Sequence, residues 1–160
     1  MLYAFFSLML FSNSVYSAFA CVDFQKLIEK SSAYIKLDDD LTQLQLKHKH
    51  EIEAVDNDLA SKHKELMMIQ DIPAREVKAQ EYQAGVEKSR LRKQELRSQY
   101  DNIKQTRMKS IIDQANSVAK KLNDSRGYDA ILRMDAIYVN GNVVDVTDEL
   151  IAQMNKGDTP

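Results

Sequence analysis

The sequence predicts a mostly α-helical protein with a small β body, in which a long antiparallel coiled-coil hairpin projects from a strand-built, barrel-like hub. Three observations carry this. The 160 residues include only 4 Gly and 2 Pro, well below the roughly 12% of an average chain, which disfavours loop-rich all-β folds and glycine-dependent nucleotide-binding folds. Between Val22 and Arg126 the only such residues are Pro73 and Gly85, so about a hundred residues contain one strong interruption to helix. Beyond Asp124 the pattern changes to short strand-like runs around Asn140-Gly141, the strongest short-range hairpin signal.

At the amino terminus, Leu2 to Phe11 is an uncharged apolar run. Its length, about ten residues, suits the h-region of an export signal and is half of what a bilayer-spanning helix needs. Small residues offer cleavage after Ser14, Ser17 or Ala20. Cleavage near Ser14 is the preferred reading, because Ala18 to Val22 reads as a short buried strand that a cut at Ala20 would destroy. A cut at Ala20 would also leave Cys21 as a terminal, lipidation-type cysteine. The alternative is an uncleaved anchor from Leu2 to Val22, against which Ser12, Asn13, Ser14 and Ser17 in mid-span argue.

The outgoing arm places Leu37, Leu41, Leu44, Ile52, Val55, Leu59, Leu66 and Ile69 on one narrow seam of period near 3.5, with His48 filling the gap. Charged and amide residues occupy the rest, so this helix buries one stripe only. After Pro73 a second seam is expected through Val77, Ala84, Leu91, Tyr100, Ile103, Ile111, Ala115, Val118 and Leu122. Counted from Phe24 to Gln70 and from Ala74 to Asp124, the helices form rods of roughly 70 and 75 Å. Pro73 in a first helical turn, with Asp71 before it, marks the reversal.

Charge supports the pairing. Leu37 to Glu65 holds eight acids against four bases, and Val86 to Lys121 ten bases against four acids. Opposite fields lying side by side contribute only tenths of a kcal/mol per exposed contact, but they disfavour wrong registers.

Gly127 is placed to end the returning helix. Tyr128 to Met134 reads as a strand, Ala136 to Val139 and Asn142 to Asp145 as a hairpin, and Asp145 or Thr147 as the cap of a last helix through Leu150, Ile151 and Met154. The part outside the arms is only about 50 residues, too few for a comfortable core of its own. A homo-oligomer pooling its strands is therefore expected.

Sharper chemistry finds little support. His48 and His50 stand two apart, about 200° around a helix, and with His63 they form no metal-ligand set. Asp38, Asp39 and Asp40 fan around the helix as a solvated face. Cys21 is the only cysteine and reads as a buried structural thiol. No phosphate-binding or nucleophile-elbow motif occurs, so neither an enzyme, a cofactor nor a metal is expected.

The two ends of the chain, Ala18-Phe19-Ala20-Cys21-Val22-Asp23-Phe24-Gln25-Lys26-Leu27 and Tyr128 to Leu132 through Val144 to Leu150, resemble the opening and closing elements of the Skp (OmpH-like) family of periplasmic chaperones. The resemblance implies a jellyfish-shaped homotrimer with a small β-barrel body and three helical tentacles around a cavity. It implies an ATP-independent holdase in the periplasm of a Gram-negative bacterium, keeping unfolded outer-membrane β-barrel proteins soluble. The corresponding division is a signal peptide over 1–14, with cleavage as late as 20, a trimerisation body over 15–36 and 125–160, and a tentacle over 37–124 with its tip near 70–74. Weak contact with membrane lipids is a further implication, reduced here by a net charge of −2.

A holdase needs many adaptable apolar contacts. Met67, Met68, Ile69 and Ile72 cluster at the expected tip, where a hairpin has no further layer to bury them and thioethers repack around varied partners. The alternative is that they simply zip the tip together. Gly85 is either a flex point or a tolerated exposed glycine. Two other functions compete: a structural envelope coiled coil, and nucleic-acid binding through the basic returning arm. Export and the acidic neighbour arm argue against nucleic acid.

Overall fold

The computed structural model describes residues 19–137 and 143–156. The chain runs β1 (Phe19–Val22), α1 (Phe24–Glu29), α2 (Ser32–Met68), α3 (Ile72–Arg126), β2 (Ala130–Arg133), a 3-10 turn (Met134–Ala136), β3 (Val143–Asp145) and α4 (Thr147–Lys156). The export signal expected over 1–14 lies outside the described residues. No helix among them is long and apolar enough to cross a membrane.

The arms are the expected hairpin. Asp40 pairs with Arg107, Glu51 with Arg92, Asp56 with Lys93 and His63 with Tyr82. From Asp40 to His63 along α2 the partner falls from Arg107 to Tyr82 along α3, as antiparallel helices require. Asp71 caps α3, its carboxylate accepting from the Ala74 N–H at 3.0 Å, with Pro73 in the first turn. At the other end Gly127 takes φ 70°, the left-handed conformation that glycine adopts without a Cβ clash, and its N–H donates to the Asn123 carbonyl.

Three details depart from expectation. The outgoing rod is broken: Ser31 Oγ donates to the Ile28 carbonyl at 2.7 Å and accepts from the Tyr34 N–H at 3.2 Å, ending α1 and starting α2. The break lets Leu27 and Ile28 turn into the core. The arms are also unequal, since α2 has 37 residues and α3 has 55. The longer helix continues through the body, where α1 and α4 pack on it.

The third departure is rotational. The first seam is as read, and every member is at least half-buried. On α3, Ile111, Ala115 and Leu122 are buried, but Val77, Ala84 and Leu91 are exposed, and Tyr82, Gly85, Ser89, Arg92 and Leu96 face α2 instead. Leu91 lies five residues from Leu96, about 140° around the helix, so both cannot face inward. Leu96 is only 2% exposed.

The sheet is three-stranded, in the order β2-β1-β3, with both outer strands parallel to β1. Among the described residues it is open at both edges and not a closed barrel, because three strands are too few to close on themselves. The expected hairpin is corrected in part. Ala136 belongs to the 3-10 turn, β3 pairs with β1, and the Asn140-Gly141 turn lies outside the described residues.

The core forms where the sheet, the helix bases and α4 meet. Ala20, Val22, Leu27, Ile28, Leu37, Leu41, Ile111, Ala115, Leu122, Val146, Leu150 and Met154 pack as one cluster. Cys21 is buried in β1, where burial and the nearby Asp145 carboxylate push its thiol above the usual range.

Candidate functional site

The chain divides into a packed base and an arm that is thinly packed toward its end. Between the tip and mid-arm, six large apolar side chains are exposed: Met67, Met68, Ile72, Val77, Val86 and Leu91. The cause is geometric. Two helices bury one stripe each, and apolar residues off that stripe have no third layer to cover them.

The tip is built by a three-residue connection. α2 ends at Met68, the Ile69 N–H returns to the Leu66 carbonyl at 3.4 Å, and Asp71 opens α3. Met67, Met68 and Ile72 are 65%, 69% and 71% exposed, while Ile69 turns toward the seam and is half-buried. Three of the four residues singled out in the sequence therefore share an uncovered apolar end, and the fourth closes the hairpin beneath them.

Behind the tip, the rotation of α3 leaves a groove of about 630 Å³ between the arms, lined in part by Val55, Leu59, Gly85, Leu91 and Arg92. Sequence reasoning missed this groove because it placed Leu91 inside. The clue was available: Leu96, not Leu91, continues the spacing set by Tyr100 and Ile103. At mid-arm, Arg92 bridges Glu51 of the facing helix and Glu95 of its own. The guanidinium holds the Glu51 carboxyl below its ordinary range, and both carboxylates raise that of Arg92.

The body holds the base rigid through a polar relay. Thr147 Oγ1 accepts from the Asp23 N–H at 2.9 Å and donates to Asp145 Oδ1 at 2.6 Å. Asp145 also accepts from the Thr147 N–H, and these bonds lower its carboxyl pKa. Asn155 accepts from the Ser32 N–H at 2.9 Å, tying α4 to the junction of α1 and α2. Both contacts join the two ends of the chain.

Among the described residues no group of three or more His, Cys, Asp or Glu could hold a metal ion. His48 is buried in the seam, His50 lies 3.7 Å from Glu53, and His63 stacks at a tilt on Tyr82.

A long two-helix arm standing on a small parallel sheet, with uncovered apolar surface toward its far end, defines a class of elongated scaffold that presents a surface and not a deep pocket. The family model described as outer membrane protein (OmpH-like) matches residues 18–154, and the chain belongs to that family. A crystal structure from Caulobacter crescentus CB15, described as a candidate OmpH-like outer membrane chaperone, superposes with a TM-score of 0.79. The two are 15% identical, and the match covers 88% of this chain and 85% of that one. No curated protein matches the chain.

Proposed function

We propose that this protein is an ATP-independent holdase of the periplasm that binds unfolded outer-membrane β-barrel proteins and prevents their aggregation on the way to the outer membrane. The observation that carries this reading is the uncovered apolar end of the arm. Met67, Met68 and Ile72 are exposed at the end of a hairpin with no layer above them, the kind of surface that makes many weak contacts with a diffuse apolar client. Family membership supports the same reading, since the related Caulobacter protein is described as a candidate chaperone.

The working form in this proposal is a homotrimer, reached by export and removal of residues 1–14. Among the described residues the sheet is open at both edges, and Phe19, Leu132, Met134 and Val144 around it are exposed in the single chain. Unpaired edges and apolar surface of this kind are what oligomerisation covers. Three pooled bodies would make the barrel-like hub, residues 37–124 of each copy would form a tentacle, and weak lipid contact would be secondary.

The test is light scattering of a urea-unfolded outer-membrane barrel diluted into buffer with and without the mature protein, paired with the oligomeric mass. The expected result is suppressed scattering without ATP and a mass of three subunits. Undiminished aggregation, or a compact monomer, overturns the proposal.

A further inference from the structure

The chain contains 7 Met and 1 Cys, and the fold sorts the described sulfurs by access. Cys21 is buried and its thiol is pushed up, so it holds little of the thiolate that oxidants attack. Met154 is 1% exposed within the core, and Met108 packs against that core. Met134 is 40% exposed. Met67 and Met68, the last two residues of α2, are the most open of the described sulfurs.

We propose that Met67 and Met68 form an oxidant-responsive site, at which a peroxide converts the tip from an apolar to a polar surface. The sulfur lone pair attacks one peroxide oxygen, the O–O bond breaks, an S=O bond forms and water leaves. Sulfur loses two electrons and the peroxide gains two. A two-electron reductant of the methionine sulfoxide reductase class reverses the step, releasing the oxygen as water.

The position makes the change local. Neither side chain fills a core site, so a sulfoxide oxygen meets solvent and leaves the helical pairing intact. The same oxygen on Met154 would enter the packed body. Cover by Ile72 is absent too, since that residue is itself exposed. The functional half of the inference rests on the holdase reading, whereas the chemical half rests on access alone.

The experiment treats the mature protein with limiting hydrogen peroxide and maps oxidation by peptide mass spectrometry. One added oxygen at Met67 and at Met68 is expected more than an order of magnitude faster than at Met154. Client retention should fall several-fold while helical circular dichroism is unchanged. A Met67→Leu/Met68→Leu variant should retain client equally with and without peroxide. Oxidation spread evenly over the methionines, or full retention by tip-oxidised protein, overturns the proposal. Untreated protein that fails to retain client removes the functional half together with the holdase reading, and the map alone then decides the chemistry.

Discussion

Leu59 Cδ2 stands 3.0 Å from the position that a Cβ would occupy on Gly85. The arms therefore come close together at a glycine, beside the inter-arm groove that both residues line. A methyl group there is tight, but the atom it meets is the end of a flexible side chain with open space next to it.

Gly85→Ala is accordingly expected to stabilise the protein. Alanine gains about 1 kcal/mol over glycine within a helix, and rotation of Leu59 into the groove returns part of that. A rise of a few degrees in thermal midpoint by circular dichroism is the expected outcome, and a fall would show that Leu59 cannot move.

The rotation of α3 is tested by two leucines. Leu96→Ala should cost roughly 2–5 kcal/mol, as truncation of a buried leucine does. Leu91→Ala, at a side chain 52% exposed, should stay within about 0.5 kcal/mol of the parent. Chemical denaturation of both variants decides the matter, and equal losses would return Leu91 to the seam.

At the base, Thr147→Val keeps the shape and removes the hydroxyl. The Asp23 N–H then loses its acceptor, and Asp145 loses the hydroxyl donor while keeping the backbone N–H of residue 147, at an expected cost of about 1–3 kcal/mol. Urea unfolding should show a lower midpoint with an unchanged slope, since the exposed surface is the same.

Acid should loosen the same relay. The folded-state pKa of Asp145 is lowered, chiefly by the Thr147 hydroxyl and then by its backbone N–H. The carboxylate therefore contributes stability that is present above its unfolded pKa, about 3.9, and is lost as pH falls through the depressed folded value. Asp145→Asn should be less stable than the parent at neutral pH and show a shallower loss below about pH 4. A pH titration of thermal midpoints for both proteins checks this, and parallel curves would contradict it.

Much of the arm was legible because its signals are local. Asp71 and Pro73 announce the start of α3, Gly127 its end, and the spacing from Leu37 to Ile69 marks one face of α2. The tip followed from those boundaries, as Met67, Met68 and Ile72 lie where the chain must reverse. Ser31 was harder to read, because Ser31 and Ser32 are compatible with either a cap or a helix interior. The sheet was harder still. A run such as Val143–Asp145 has the same composition whether it pairs with a neighbour in sequence or with a strand more than a hundred residues away.

Sequence alone determined that two long amphipathic helices turn back on each other near Gln70 to Ala74, since capping, periodicity and charge act over a few residues at a time. Tertiary structure decided which side of α3 faces α2 beyond Leu96. A helix is rigid, so the buried contacts of Ile111, Ala115 and Leu122 set its rotation, and the face at Val77 and Leu91 is carried outward whatever its local hydrophobicity. It likewise decided that β1 lies between β2 and β3, because only the folded body brings Cys21 beside both Leu132 and Asp145.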